Sequence, residues 1–292
     1  MNKNLNKFYE EESKVFLERL GIPYPYIIPQ SLIIGGNQYK KLVFADPHEP
    51  YTKDEIFEEA YLIHADADTC LIEGDLGDFY SKSRFRKTHS VNFREELRAI
   101  FYRLEWLSVH FQEVLIMEGN HDNRPQKKIA DLFGDGDIDL NILTENNLLK
   151  RLASYFENIK IVGTQIQNHE HNILLTHIFQ YGDIIFTHGE VSRKQDSAIG
   201  DFLSIYLHRW GDKLGLKPFR VIVQAHNHRG SKTIKGGELW MLIPCSMEDI
   251  SIGGEYIYSP RMVGDPPVRG YAVFYQDKGV TDWNKSNFYV YK

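Results

Sequence analysis

The sequence predicts a mixed α/β sandwich, two β-sheets face to face with helices outside. Three observations carry that expectation. Short apolar runs of strand length alternate with amphipathic helical stretches through the first half of the chain. The second half is richer in strand-like runs. Five of these runs end in Asp, Asn or His, and the carboxyl ends of strands are where α/β sheets bind ligands.

The elements follow in order. Leu5, Phe8, Phe16 and Leu20 fall near one helical face, and Gly21 and Pro23 stop that helix. "IPYPYIIPQ" is too Pro-rich for a core element. Residues 1–40 therefore read as a helix and an arm, with the main domain over 41–292. "KLVFAD" is a short buried strand. Thr52 and Glu55 have capping-box spacing for a helix from Lys53 to about Ile63. "TCLIEGD" is the next strand. Phe93, Leu97, Phe101 and Leu104 mark a helix over about Val91 to His110, and "EVLIMEG" is a third strand. This alternation implies a parallel sheet. The later strands are "NIKIVGT", "NILLTHIF", "DIIFTHG", "RVIVQAH", "LWMLIP", "YAVFYQ" and "NFYVYK", with a helix at about Ser197 to Asp212. The stretch 245–270 is long for a loop, which fits a lid or a subunit contact. Tyr256, Tyr258, Arg261 and Arg269 could line a cleft from it.

Composition narrows the function classes. With 292 residues, 42% hydrophobic and 25% charged, the chain can bury a sizeable core. A net charge of −6 does not suit a surface that coats nucleic acid. No apolar run approaches the roughly 20 residues that span a bilayer, and "MNKNLNKFYEEESK" has no signal-peptide core. Cys70 and Cys245 lie in or beside apolar runs and read as reduced core thiols. These features point to a soluble, cytoplasmic protein without a membrane partner.

The strand-end residues are Asp46 and His48, then Asp75 and Asp78, then Asn120, His121 and Asp122, then His188, then His226 and His228. Carboxylate, imidazole and amide oxygen are the ligands of divalent first-row metals. Asp46-x-His48 and His226-x-His228 each put two ligands on one side of an extended segment. Two such ions roughly 3.5–4 Å apart can activate water and clamp a phosphoryl group.

The motifs Asp46-Pro47-His48, Gly74-Asp75-Leu76-Gly77-Asp78, Gly119-Asn120-His121-Asp122, His188-Gly189 and His226-Asn227-His228 occur in the order found in calcineurin-like metallophosphoesterases, and the chain resembles that family from about Lys41 to Met247. The resemblance implies a calcineurin-like two-sheet sandwich flanked by helices, with metals at the C-terminal strand ends. It implies that Asp46, His48, Asp75 and His228 bind one metal. Asp75, Asn120, His188 and His226 would bind a second, with Asp75 as the bridge. Two divalent transition-metal ions are expected, Mn first, with Fe, Zn or Ni as alternatives. His121 would contact the phosphate or leaving group, Asp78 would orient it and favour its protonated form, and Asp122 would support the site from behind. The nucleophile would be a metal-bridging hydroxide.

The sequence also departs from the family pattern. Ala225 stands where Gly is common before His226, and Phe79 and Tyr80 follow Asp78 where protein serine/threonine phosphatases of the superfamily carry Arg-Gly. That argues against close kinship with those phosphatases. The segment holding Lys82, Arg84, Arg86, Lys87 and Arg94 leaves the strand that bears Asp75, interleaved with Tyr80, Phe85 and Phe93. It reads as a solvated loop and helix start that could also hold a nucleic-acid backbone. Arg84, Arg86, Lys87 and Arg124 are the candidate substrate contacts. His169, His171 and His177 match no motif and read as surface or hairpin residues. The expected activity is phosphate-ester hydrolysis, leaning to phosphodiesters of nucleotides or nucleic acid. A phosphomonoesterase is the alternative, and a non-catalytic metal-binding scaffold the alternative of another class. Self-association is also compatible with the sequence.

Overall fold

Apolar runs without alternation become strands covered on both faces, and this chain makes two sheets of them. The computed structural model describes residues 33–34, 40–83, 90–126, 128, 148–168, 173–189, 196–247 and 267–291. The N-terminal helix, Arg84, Arg86, Lys87, His169, His171 and most of the 245–270 loop, with Tyr256, Tyr258 and Arg261, lie outside them.

The first sheet runs β13-β12-β2-β3-β4-β5, with β14 also on β12. Its parallel centre is β2 (Lys40–Ala45), β3 (Thr69–Glu73), β4 (Glu113–Met117) and β5 (Ile159–Val162). Three strands complete it: β12 (Gly270–Asp277), β13 (Val280–Thr281) and β14 (Asn287–Val290). The second sheet runs β1-β7-β8-β9-β11-β10, with β6 also on β7. Its strands are β1 (Ile33–Ile34), β6 (Thr164–Asn168), β7 (Ile173–Tyr181), β8 (Ile184–His188), β9 (Val221–Gln224), β10 (Ser231–Lys235) and β11 (Glu238–Leu242). Of the arm, Ile33 and Ile34 pair in parallel with β7.

Three cores follow from strand alternation. Leu42, Phe44, Cys70, Ile72, Val114 and Ile116 point outward, against helices α1 (Asp54–Ile63), α2 (Phe93–His110) and α3 (Leu148–Ala153). Val43, Ala45, Leu71, Leu115 and Met117 point inward and meet Phe179, Phe186, Val221, Val223 and Met241 of the second sheet. Helix α4 (Asp196–Leu214) closes the far face with Ile199, Leu203 and Leu207 against Ile222 and Trp240. Burying a side chain of this size contributes about 1.5–3 kcal/mol, so the helix-facing and inter-sheet layers both stabilise the fold substantially. Both cysteines are free and buried. Among the described residues no helix is long and apolar enough to cross a membrane.

Several details refine the sequence reading. Helix α1 is capped at Lys53 with no side-chain bond, because Thr52 Oγ1 donates instead to Pro47 O at 2.9 Å. Helix α2 does have a side-chain cap, Asn92, which accepts from Arg94 N. The run "NIKIVGT" is not one strand. The chain turns at Gly163, with φ of +87°, and passes from β5 in the first sheet to β6 in the second. Of the two readings of His177 the hairpin one stands: it is 3% exposed in β7, opposite His188 of the antiparallel β8.

Candidate metal centre

All five strand-end groups converge at the carboxyl ends of β2, β3, β4, β8 and β9. Asp46, His48 and His228 form one group whose ligand atoms lie within 4.8 Å of one another, and Asp75, His188 and His226 form another. Asp75 Oδ2 lies 3.2 Å from His188 Nε2 and 3.9 Å from His48 Nε2, between the two groups. Asn120 Oδ1 is 3.2 Å from His188 Nε2. All seven expected ligands therefore share one site.

The local backbone shows how the sequence achieves this. Asp46, His48, Asp75, His226 and His228 all have φ between 48° and 75°, a conformation costly for non-glycine residues. Strain of this kind persists only where surrounding structure fixes it. Gly74 is required, since a Cβ there would stand 2.0 Å from His188 Nδ1. Gly119 is required too, since a Cβ would stand 2.1 Å from Asp75 Oδ1.

The residues fit a divalent cation. Asp46 Oδ1, His48 Nδ1 and His48 Nε2 are buried with no hydrogen-bond partner, a costly state unless something else binds them. His188 Nδ1 lies 3.0 Å from the Glu73 carbonyl, which leaves Nε2 to face Asp75 and Asn120. Electrostatics agree. Burial works against charge on Asp46, yet His228 and His188 hold its carboxyl down at about 2. Burial works against charge on His188 as well, yet Asp75 pushes its imidazole up to about 10. Burial and the His188 charge push His226 down to about 4. The buried carboxylates thus draw positive charge into the site, and a divalent ion supplies it while releasing protons.

His121 lies beside this centre. Its Nδ1 is 3.0 Å from Asp78 Oδ1, its Nε2 is 3.9 Å from Asp75 Oδ2, and its backbone N–H donates to Asp75 Oδ1 at 2.7 Å. Burial works against charge on Asp78, but His121, His48 and Arg124 around it hold the carboxyl well below the usual range. Asp122 does not reach the site. It is fully buried and accepts backbone N–H groups from Leu76 at 3.3 Å, Gly77 at 2.9 Å and Gly119 at 2.9 Å. Those donors favour the carboxylate, against burial and the Asp75 charge, which push it up to about 8. Its backbone bonds place it behind the ligand loops. Of the candidate substrate contacts, Arg124 is at the site, against Asp78 and His121.

Two further residues belong to the site. Glu73 is fully buried and accepts the Thr187 N–H at 3.2 Å, which ties β3 to β8 beneath the ligands. An acid closing the apolar run "TCLIE" was the available signal. Tyr51 is half-buried near Asp78, where burial and that carboxylate raise its phenol. It follows Glu49 and Pro50 in a loop, and nothing in that local pattern marks it.

The structure is thus a two-sheet α/β sandwich with groups of residues that could hold metal at one end of its strands. No protein-family model matches the sequence, and no curated protein matches it. Among solved structures, the chain is similar to wild-type Vps29 complexed with zinc from Entamoeba histolytica, at 15% identity and a TM-score of 0.39, over 82% of this chain and 87% of that one. It is similar to an archaeal phosphodiesterase at 14% identity and a TM-score of 0.39, over 86% of this chain and 98% of that one. It is also similar to a predicted phosphoesterase from Streptococcus pneumoniae, at 12% identity and a TM-score of 0.30, over 87% and 98% of the two chains. Likeness at this level assigns no activity to this chain.

Proposed function

We propose that the protein is a metal-dependent phosphoesterase. The carrying observation is the His121–Asp78 pair, held at 3.0 Å, with His121 Nε2 2.9 Å from Arg124 Nη2 and 3.9 Å from Asp75 Oδ2. The pair lies beside the seven expected ligands, where a group serving the leaving oxygen would stand. Divalent ions held by Asp46, His48, Asp75, Asn120, His188, His226 and His228, two in number on this reading, would supply a water of lowered pKa and clamp the phosphoryl group. The chain's own residues do the rest. Asp78 holds His121 by Nδ1, so that Nε2 is the nitrogen that hands a proton to the leaving-group oxygen. Glu73 and Asp122 fix the ligand loops from behind. The lean toward phosphodiesters draws on Arg84, Arg86 and Lys87, outside the described residues, so the described site supports the coarser class, phosphate esters.

The test combines metal analysis with a panel of mono- and diesters. Purified protein should bind up to two divalent ions per chain, and chelation should abolish turnover. His121→Ala should keep the metal and lose about 10²–10⁴-fold in rate on esters with poor leaving groups. The loss should be smaller with a nitrophenolate leaving group, which departs without a proton. A protein that binds metal but turns over no ester would be a scaffold. A His121→Ala variant that sheds metal and slows every substrate alike would remove the acid role.

A further inference from the structure

Arg124 opens the helical stretch 124–126 after the turn at 120–123, and its backbone N–H donates to His121 O at 2.9 Å. Its guanidinium is gripped on one side by Asp78, where Nη1 donates to the backbone O at 2.9 Å and to Oδ1 at 2.5 Å. On the other side Nη2 donates to His121 Nε2 at 2.9 Å. While Nε2 accepts that bond it carries no proton, so it can act as the acid only after Arg124 has moved and a water has supplied one. Arg124 therefore covers the nitrogen that the phosphoesterase reading points at the leaving group. A phosphate that reaches His121 Nε2 must take the place of Arg124 Nη2, and it then meets the guanidinium within hydrogen-bond distance.

We propose, on the phosphoesterase reading above, that Arg124 is a phosphate-binding residue that selects phosphomonoesters over diesters. Nη1 stays anchored on Asp78, while Nη2 changes acceptor from His121 Nε2 to a non-bridging phosphate oxygen. The exchange replaces a neutral nitrogen by a charged oxygen, and hydrogen bonds between charged partners are roughly twice as strong as neutral ones. Arginine stays charged throughout and matches phosphate geometry. A monoester carries close to two negative charges near neutral pH and three non-bridging oxygens. A diester carries one charge and two such oxygens. An added fixed cation at the dyad therefore favours the monoester. The same movement uncovers Nε2 only when a phosphate has arrived.

The experiment compares wild type, Arg124→Ala and Arg124→Lys, each loaded with Mn, on nitrophenyl phosphate and on bis(nitrophenyl) phosphate. Inorganic phosphate binding is measured alongside by calorimetry. Metal content should be equal in all three. Arg124→Ala should lose about 10–100-fold in phosphate affinity and in kcat/KM for the monoester, with a clearly smaller loss on the diester. Arg124→Lys, a point charge without the fork, should recover part of the loss. Equal losses on both esters with unchanged phosphate affinity would mean that Arg124 only positions Asp78 and His121, and would overturn the proposal. Unchanged affinity and rates would overturn it too. If Arg124→Ala does not fold, Arg124→Lys and Arg124→Gln carry the same comparison. If wild type hydrolyses neither ester, the phosphoesterase reading fails, while the phosphate titration still decides whether Arg124 binds the anion.

Discussion

Asp46 and Asp183 are both buried, at opposite ends of the strands, and the fold treats them in opposite ways. Asp183 stands just before β8. It accepts from Thr281 N at 3.0 Å, from Gln276 Nε2 at 3.1 Å, from Arg220 Nη2 at 3.0 Å and from the Thr281 hydroxyl. Asp46 stands just after β2. Its Oδ2 accepts from His226 N at 2.9 Å, but Oδ1 has no hydrogen-bond partner. The nearest groups to that oxygen are imidazole nitrogens, of His228 at 3.6 Å and His188 at 3.9 Å. Asp46 also has a φ of 48°, part of the cluster of positive φ values at that end. A buried group left unsatisfied costs about 1–3 kcal/mol. One end of the sandwich is finished by the protein alone, and the other is complete only with something bound.

Exchanging the two properties is the sharpest way to break this contrast. Asp75→Asn should have the largest effect, a loss of metal affinity together with at least about 10³-fold in turnover. Stability should change little, because His188 can give up its proton once the Asp75 charge that favours it is gone. Asp183→Ala should do the reverse. Leaving the buried Thr281 and Gln276 donors without their acceptor should cost about 1–3 kcal/mol for each in urea unfolding, with specific activity of the folded protein unchanged. If both variants lost stability and activity in parallel, the two ends would not be separable.

The smallest effect sharpens the finished end. Lys41 is 2% exposed on the inter-sheet face of β2, with Nζ 4.5 Å from the Tyr181 ring centroid. Burial pushes its ammonium down to about 8, against Asp68, Glu113 and Asp183. The folded value lies below the unfolded one, so between about 8 and the ordinary 10.5 the unfolded chain binds more protons. Stability should therefore rise with pH across that window, by up to about 3 kcal/mol. Lys41→Met should flatten the rise. An identical rise in that variant would place the titration elsewhere.

How far the sequence could be read follows the same physical division. Strands such as "TCLIE" and "RVIVQ" were legible because both faces are buried, so apolar content marks them directly. Helix α2 was legible because one face only is buried. Strand β10, "SKTIK", escaped because it is a partly exposed edge strand without apolar patterning. The passage from β5 to β6 escaped because one apolar run served two sheets. The ligands were legible because residue type and strand-end position coincide. Arg124 on Asp78, 46 residues away, and Glu73 on Thr187, 114 residues away, depend on closeness in space that no local pattern encodes.

Asp122 carries a consequence for metal choice. By holding Leu76, Gly77 and Gly119 on one carboxylate, it joins the loop after β3 to the loop after β4 as a single piece. Asp75 and Asn120 ride on that piece, so their separation is set when the chain folds and not when a cation arrives. On the phosphoesterase reading the spacing would act as a gauge, favouring ions that suit it over ions that would have to break backbone hydrogen bonds to enter.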